Sequence, residues 1–583
     1  MSAAIPSSFG DQHLTFGWID YTLFSGLLGL SLVIGVYFGF FSKQDSTDEY
    51  LYGGKKMSYV PVATSILASL LSGITFLGIP TETYVYGSQV LVGSFGYMLS
   101  CATSAYIFLP GFHDLKLCSC YEYLGLRFSR SVRTLASFLY TISLLLYIPI
   151  VIYVPSLAFS QVTGYKLHTI APMFSLVCII YTTMGGVKAV VWTDTIQFIF
   201  TVGGLFTVLA IGLNSVGGFS QVWKIAEEGG RLEIIDWNPN PFERNNFWSM
   251  MIGGYFTMTG RFGAGQKFVQ RFLAIEKKVD VQKAVGLMAL GWFVLNLSCI
   301  LTGLIVYAKY HGCDPLTAKL IQRTDETLPF YVMDVAGHIS GLPGVFLAGL
   351  VSSALSTMSA SLNSLSGIIY NDFIDVWIND GPKKDTNAAK MMKVISVLIG
   401  VITVAMVFII EKLGTIFEMA NKLSSVVDGP LLALFLLGFL VPCVGKRGAL
   451  WGTVIGFTVM TSYVMNVHWL TINHRIHYPS LPTSVEDCPY PLNETAKINV
   501  TSKPLAMDDV EEPLLLFRIS FFYFTMLGTL LTIISAIIFS IALGETSMAD
   551  VNPKHVSPVV RRFLPQKKDV NISMDDTMKI PKC

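Results

Sequence analysis

Long apolar segments alternate with short polar ones along most of this 583-residue chain. The apolar segments run to about 20 residues, the length at which a helix crosses the hydrocarbon core of a bilayer. The pattern therefore predicts an all-α polytopic membrane protein with about thirteen transmembrane helices. The predicted spans are 17–41, 58–86, 90–112, 131–161, 167–185, 188–213, 246–268, 284–308, 342–372, 391–411, 415–442, 448–467 and 514–543.

Two of these spans contain residues that interrupt helices. Span 58–86 carries Gly73, Gly78 and Pro80, and proline removes a backbone donor and clashes with the preceding turn. Span 246–268 carries Gly260, Gly263 and Gly265. Interruptions at corresponding positions of two halves are typical of inverted-repeat transporters with a binding site at the membrane midplane. Since the two breaks lie five spans apart, we expect inverted repeats over about 58–213 and 246–442.

Span 342–372 is apolar overall but rich in hydroxyl side chains. Ser353, Ser356 and Thr357 lie at i, i+3 and i+4, so they share one helical face. Hydroxyls can donate to the carbonyl one turn earlier, which lets a helix carry them inside lipid. Close helix packing is our interpretation of the positions from Ser359 to Ser366, since small residues let backbones approach. For the first three residues, packing and a cation site remain alternatives.

A break in a helix frees carbonyl oxygens that can coordinate a cation. Those just before the first break include Ala68 and Leu71. In a repeat fold of this kind the hydroxyl-rich span can pack against that break, which gives five neutral oxygens. Calcium and magnesium sites normally recruit carboxylates, so such a set suits a monovalent ion. The set therefore favours a weakly held monovalent cation such as sodium, and no cofactor is expected.

Composition and charge exclude several other classes of protein. The chain is 52% hydrophobic and only 14% charged, whereas a soluble protein of this length carries more charge. The net charge of +1, without a basic run, argues against nucleic acid as a partner. The HExxH, GxSxG and P-loop motifs are missing, and the nine cysteines show no metal-binding spacing. We expect a protein that is not an enzyme and whose partners are the lipid bilayer, sodium and a small solute.

The positions of lysine and arginine predict the orientation. They cluster in the loops after the first, third, seventh, ninth and eleventh spans, which share one side and are therefore assigned to the cytoplasm. Residues 1–16 and the loop 468–513 are then extracellular, and 544–583 form a cytoplasmic tail without regular structure. The sequons at Asn493 and Asn499 fall in the extracellular loop, as glycosylation requires. Segment 218–245 is predicted to form a short amphipathic helix on the outer surface.

Several motifs together resemble the sodium/solute symporter family, which includes glucose, iodide, monocarboxylate and multivitamin cotransporters. They are YTTMGGVKAVVWTDTIQ from Tyr181, VQRFLA from Val269, GCDP from Gly312 and SALST from Ser353. The resemblance covers roughly 17–543 and is nearest to the monocarboxylate, multivitamin and iodide branch. It implies a LeuT-type inverted-repeat fold in the plasma membrane. It also places the family's sodium ligands on Ala68, Leu71, Ser353, Ser356 and Thr357.

The resemblance implies sodium-coupled import of a small organic anion by alternating access, a monocarboxylate or a vitamin-like carboxylate. The alternatives are a substrate-gated sodium conductance or sensor on the same fold, or import of an inorganic anion such as iodide. It also marks Asp194 as a residue on the sodium exit path, although an acid near a helix N-terminus can simply complement the dipole. Whether Cys313 and Cys488 form a disulfide stays open.

The chain departs from its relatives near the second break and in the eleventh span. Arg261 stands where relatives carry a neutral residue, and Asp428 where a small residue is usual. Arg261 is expected either to bind a substrate carboxylate, or to extend to the cytoplasmic face, or to pair with Asp428. Glu418 and Lys422 are spaced to neutralise each other. The candidate substrate residues around the breaks are Ser72, Thr75, Phe76, Tyr255, Arg261 and Phe262.

Overall fold

A computed structural model describes residues 16–41, 46–115, 117, 119–378, 384–410, 416–473, 475–476, 478–488, 513–548, 551–562 and 564. Over these ranges the chain is helical and contains no β-strand. The helices before residue 240 are α1 (Trp18–Phe41), α2 (Thr47–Tyr52), α3 (Tyr59–Leu70), α4 (Gly73–Tyr86), α5 (Val92–Thr103), α6 (Leu109–Asp114), α7 (Cys120–Arg127), α8 (Arg130–Thr163), α9 (Leu167–Val216) and α10 (Phe219–Glu228).

The remaining described helices follow the same pattern of long apolar elements joined by short connections. They are α11 (Phe247–Thr259), α12 (Gln266–Leu273), α13 (Lys278–Tyr310), α14 (Thr327–Ala336), α15 (Leu342–Ile368), α16 (Lys384–Ile410), α17 (Ile416–Leu440), α18 (Lys446–Ile472), α19 (Phe524–Ala542) and α20 (Pro558–Arg561). The formation of α10 agrees with the short helix predicted for the segment 218–245.

In the described part of the chain, ten helical stretches are long and apolar enough to cross a membrane, and the bent pair α3 and α4 makes an eleventh. Helix α9 has 50 residues, about 75 Å at 1.5 Å per residue, which is more than twice the thickness of a hydrocarbon core. It contains two predicted spans, 167–185 and 188–213. Gly186 divides them with φ 56° and ψ −157°, a conformation that glycine adopts without steric penalty. The total of thirteen spans stays a prediction.

The first helix break lies earlier than the residues that suggested it. Helix α3 ends at Leu70 and α4 begins at Gly73, with a bend of 57° between them. Gly78 and Pro80 lie inside α4. A proline within a transmembrane helix is tolerated when neighbouring groups satisfy the backbone it frees. Helix α13 packs closely here, since a Cβ added at Gly303 would lie 2.5 Å from the Pro80 carbonyl oxygen.

The second break lies where the glycines predicted it. Helix α11 ends at Thr259, a π-helical turn covers Gly260–Ala264, and α12 begins at Gln266. Gly265 is extended, with φ −87° and ψ 107°. A Cβ at Gly265 would lie 2.4 Å from the carbonyl oxygen of Arg261, so this turn has room only for glycine. Both predicted interruptions are therefore present, and the inverted repeats themselves stay a prediction.

Helix α15 lies at the centre of the bundle, with nearly every residue buried. It packs against α1, α3, α8 and α9. The hydroxyls of Ser359, Ser361 and Ser366 donate to carbonyl oxygens of their own helix at 2.8–3.0 Å. They therefore need no partner on another helix, and their small size lets neighbouring backbones approach. This agrees with the packing interpretation of the segment from Ser359 to Ser366.

The segment after α19 differs from its prediction. It was expected to lack regular structure, but residues 551–562 include a short turn and α20. The Ser557 amide donates to the Phe439 carbonyl at 3.0 Å, and the Tyr123 hydroxyl donates to the His555 carbonyl at 2.8 Å. Val556 is buried, so an apolar contact holds this polar stretch against the bundle.

Two further questions from the sequence have different outcomes. Cys313 and Cys488 form a disulfide that joins the segment after α13 to the loop after α18. The sequons at Asn493 and Asn499 lie outside the described residues, as do residues 1–15.

Candidate ion and substrate sites

Helix α15 contacts the first helix break through its hydroxyl-bearing face. The Thr357 hydroxyl donates to the Ser69 carbonyl at 3.0 Å, and the Ser356 hydroxyl lies 2.9 Å from that of Ser69. The Ser353 hydroxyl donates to the Leu350 carbonyl at 2.7 Å, and the Ser353 carbonyl accepts from Thr357 at 3.0 Å. All four residues are buried. The three predicted hydroxyl ligands are thus on the side of α15 that faces the end of α3.

The carbonyl groups at the end of α3 complete the patch. The Leu71 amide donates to the Leu67 carbonyl at 2.9 Å. The first backbone hydrogen bond of α4 runs from the Phe76 amide to the Ser72 carbonyl at 2.8 Å. The last carbonyls of a helix have no donor within it. Two of these carbonyls accept from side chains. The Thr357 hydroxyl donates to the Ser69 carbonyl, and the Thr75 hydroxyl donates to the Leu70 carbonyl at 3.1 Å. Among the described residues no side chain donates to Ala68 or Leu71, the two carbonyls predicted to bind the cation.

A buried ion pair lies one turn before this patch. The Asp194 carboxylate accepts from the Ser65 hydroxyl at 2.8 Å and pairs with Arg271 at 2.9 Å. Arg271 also donates to the Ser65 carbonyl at 2.6 Å, and all three residues are buried. Asp194 lies eight residues beyond the turn at Gly186, whereas helix-dipole effects fade within the first turn. The pairing with Arg271, and not a helix N-terminus, stabilises this carboxylate.

Sequence reasoning missed the role of Arg271. It was counted among the basic loop residues that set orientation, although it lies in α12 and is buried. The one signal was its position in the VQRFLA motif directly after the second break. Through this arginine the segment after the second break contacts the helix that precedes the first.

A cavity lies between the two breaks, and we call it the central cavity. Its wall is mostly apolar and aromatic, with a few polar groups, as is usual for small-molecule sites. The residues that line it are Leu70, Ile74, Thr75, Ile79, Val90, Gly93, Tyr97, Tyr147, Met250, Gly254, Thr257, Met258, Arg261, Trp292, Asn296, Ala420, Asn421, Phe521, Phe522 and Thr525. Leu70 and Thr75 flank the first break, so the cavity adjoins the hydroxyl patch.

Arg261 is the charged residue in the lining of this cavity. One Nη donates to the Asn421 side-chain oxygen at 3.4 Å, and Nε lies 3.9 Å from the Asp428 carboxylate. The arginine side chain keeps 22% of its surface exposed. The predicted pairing with Asp428 is therefore present, but it is long and leaves part of the guanidinium facing the cavity.

With this geometry established, comparisons with known proteins identify the family. The family model described as the sodium:solute symporter family matches residues 50–456. The chain belongs to the sodium:solute symporter family. This family consists of transporters, and the many membrane-spanning helices show a multi-pass membrane protein.

Relatives of this symporter-family chain match it over most of its length. The human sodium-coupled monocarboxylate transporter 1 is 34% identical over 559 residues, which cover 93% of this chain and 90% of the relative. A putative sodium-dependent multivitamin transporter of Drosophila melanogaster is 32% identical over 528 residues, covering 89% and 85%.

A solved structure shows the same fold. The substrate-bound, outward-open structure of a Na⁺-coupled sialic acid symporter matches with a TM-score of 0.74 at 23% identity. The match covers 91% of this chain and all of that one. It confirms the predicted LeuT-type fold.

The structure separates the six candidate substrate residues of this family member. Thr75 and Arg261 line the central cavity. The other four are not among the residues that line it, and they contact neighbouring side chains. The Ser72 hydroxyl lies 3.5 Å from that of Thr75, and the Phe76 ring packs on Phe346. The Tyr255 hydroxyl contacts Thr103, and Phe262 packs edge-on behind Tyr97, which itself lines the cavity.

A buried charge network lies beside the central cavity and contacts its lining residue Phe521. Glu418 pairs with Lys422 at 2.5 Å, as their spacing predicted, and also with Arg244 at 3.0 Å. Arg244 binds Glu82 of α4 at 2.8 Å, and its guanidinium lies 4.8 Å from the ring centre of Phe521. The two cations balance the two carboxylates, which lets them be buried together. Sequence reasoning missed Arg244 because it lies in a loop far along the chain from its partners.

Proposed function

We propose that this chain is a sodium-coupled symporter that imports a small organic anion, a monocarboxylate or a vitamin-like carboxylate, by alternating access. One observation carries the proposal: a patch of neutral oxygens at the first helix break adjoins a cavity whose charged residue is an arginine. Such an arrangement brings a cation and an anion within one occluded space between two broken helices. The proposal needs no covalent chemistry, so the protein is not an enzyme.

Sodium is the ion that this patch suits. The proposed ligands are the carbonyls of Ala68 and Leu71 with the hydroxyls of Ser353, Ser356 and Thr357. All are neutral, so a monovalent ion is held weakly enough to leave again. Asp194 lies one turn away beside Ser65, where it can receive the ion on its way out. Sodium acts here as the coupling ion, and no cofactor is required.

The substrate is proposed to be a carboxylate for two reasons. Arginine matches a carboxylate with two parallel hydrogen bonds, and Arg261 keeps part of its guanidinium in the cavity. The remaining wall is apolar and aromatic, which suits a short carbon chain or a ring. The relatives named above for monocarboxylates and vitamins are consistent with this class.

The proposed orientation follows the basic loops. It places the N-terminus outside, the C-terminus inside and the loop that carries Asn493 and Asn499 outside, in the plasma membrane. In this orientation the charge network of Arg244 lies toward the extracellular end of the central cavity, and the pair of Arg271 and Asp194 lies toward the cytoplasmic end. Opening the two ends in alternation would move the substrate and sodium inward.

Radiotracer uptake tests the proposal directly. We would measure lactate, pyruvate, nicotinate, butyrate, biotin, pantothenate and iodide in cells that express the protein, in sodium and in choline medium. Sodium-dependent accumulation of one or more carboxylates is the expected result. Uptake of iodide alone would point to an inorganic anion. Substrate-evoked sodium current without tracer accumulation would point to a conductance or sensor.

A further inference from the structure

We propose that a second anion site, beside the central cavity, receives the substrate carboxylate after it leaves Arg261. This site is a smaller cavity that we call the Lys267 chamber. The lining residues that could act on an anion are Tyr140, Tyr147, Arg261, Lys267, Ser424 and Asp428. The inference rests on the proposed function, since it concerns the path of the transported anion. The inference gives a role to Lys267 and Asp428, which do not line the central cavity.

The two cavities meet at two side chains. Arg261 and Tyr147 line both the central cavity and the Lys267 chamber. A guanidinium has donors on more than one edge, so two sides of Arg261 can each hold an anion. An anion can therefore pass from one cavity to the other without losing contact with Arg261.

The charges in the chamber favour one monovalent anion. Arg261 and Lys267 are cations, and Asp428 is the one acidic residue among the lining residues. The Lys267 ammonium lies 4.8 Å from the ring centre of Tyr147 and 4.9 Å from that of Phe268. Within the described part of the chain no carboxylate lies within ion-pair distance of it. The net charge of the lining is thus +1, which a monocarboxylate would neutralise, and charges at this depth are costly without such compensation.

The contact between Arg261 and Asp428 is suited to exchange. It measures 3.9 Å, whereas the structural pair between Arg271 and Asp194 measures 2.9 Å. A long contact of this kind is weaker and can give way to an incoming carboxylate. Asp428 would then limit how tightly the two cations hold the substrate, so that it can leave.

The backbone adds positive potential from the same direction. Helix α12 begins at Gln266. The Lys267 backbone amide donates to the hydroxyl of Tyr140 at 3.1 Å, and Tyr140 lines the chamber. The Lys267 amide is therefore occupied, and what the helix end adds is the positive end of the α12 dipole, which attracts anions. The second break therefore contributes its helix end, together with Arg261 and Lys267, to one chamber.

The test compares substrate affinity from the two sides of the membrane. The full chain is reconstituted in proteoliposomes, and labelled L-lactate, or the best carboxylate of the uptake panel, is applied on either side. For Lys267→Gln we expect the KM from the cytoplasmic side to rise about fivefold, as for the loss of one charge-assisted contact. The KM from the extracellular side and the sodium dependence should not change. Lys267→Arg should retain most of the affinity.

Asp428→Asn supplies a second variant with the opposite sign. Removing the competing carboxylate should lower the cytoplasmic-side KM and slow the maximal rate, because the anion is then held too tightly. Lys278→Gln is the matched control, since Lys278 is half exposed and pairs with Asp114, away from the chamber. It should leave the KM from both sides as in the wild type.

Two results would overturn the inference. One is an unchanged KM from both sides in Lys267→Gln and Asp428→Asn, and the other is an equal change from both sides, which would assign these residues to the central cavity. Failure of the proposed function is a separate result, because the wild type itself would then accumulate no carboxylate in sodium.

Discussion

The two helix breaks of this symporter-family chain each interrupt a predicted span, but their surroundings are opposite. At the first break, α3 ends among the neutral hydroxyls of Ser356 and Thr357. At the second break, α12 begins beside the cations Arg261 and Lys267. The carbonyl end of a helix attracts cations, and the amide end attracts anions. The side chains therefore extend the polarity that each helix end already has.

The comparison indicates how one fold can bind two ions of opposite charge. A broken helix supplies partial charges without burying a full charge, which is costly in a membrane. Neutral hydroxyls then suffice for the proposed sodium site, whereas the proposed anion sites need side chains of full positive charge. Near the first break the full charges, Asp194 and Arg271, are paired with each other. Near the second break the contact between Arg261 and Asp428 is longer.

The largest loss of uptake is expected on breaking the buried ion pair between Arg271 and Asp194. Arg271→Gln leaves the buried Asp194 carboxylate without its partner, and removing one partner of a buried pair costs about 3–5 kcal/mol. We expect little protein at the cell surface and uptake close to background, measured by surface biotinylation and tracer uptake. The double variant with Asp194→Asn should restore surface expression. A normal surface level for Arg271→Gln alone would show that the pair is not structural.

A smaller effect is expected at the neutral oxygens. Thr357→Ala removes one proposed sodium ligand, and the loss of one contact to a charged group corresponds to about a tenfold rise in the sodium concentration for half-maximal uptake. Ser366→Ala is the matched control, since its hydroxyl donates to Asn363 on the same helix at 2.9 Å, away from the break. If both variants keep the wild-type sodium dependence, the cation site lies elsewhere.

At the second break we expect a change in the substrate KM and not in the sodium dependence. Arg261→Gln is expected to raise the extracellular KM for a carboxylate about tenfold, because a bidentate charge-assisted contact is lost. Arg261→Lys should retain part of the affinity, and sodium dependence should stay near that of the wild type in both. Concentration series of substrate and of sodium measure the two constants separately. If Arg261→Gln changed the substrate KM and the sodium concentration for half-maximal uptake equally, the two breaks would not bind the two ions separately.

The smallest functional effect is expected for the variants that test orientation. Asn493→Gln together with Asn499→Gln should abolish the mobility shift that glycosidase treatment produces, with uptake unchanged. These residues lie in the loop predicted to be extracellular, where glycosylation takes place. A third sequon, Asn571-Ile-Ser, lies in the predicted cytoplasmic tail and should carry no glycan. A shift that persisted in the double variant, and that disappeared only with Asn571→Gln, would reverse the predicted orientation.

The sequence by itself determined the class, the family and most of the residues that form the patch of neutral oxygens at the first break. Apolar length predicts spans because a helix rises 1.5 Å per residue, and the i, i+3, i+4 spacing placed Ser353, Ser356 and Thr357 on one face. Both breaks were predicted from glycine and proline, and the first lies at Leu71–Ser72, just before Gly73, whereas Pro80 lies within α4. Local composition indicates that a helix is weak, whereas the packing of α13 and α15 determines where it breaks.

Only the tertiary structure determined which distant residues meet. Arg271 and Asp194 are 77 positions apart, and Arg244, which lies in a loop, contacts carboxylates on two helices. The central cavity and the Lys267 chamber draw their walls from several helices, and two of the six substrate candidates, Thr75 and Arg261, line the central cavity. Helical periodicity fixes the face on which a side chain lies, but not the neighbour of that face. That neighbour follows from the packing of the whole bundle, to which residues far apart in the chain contribute.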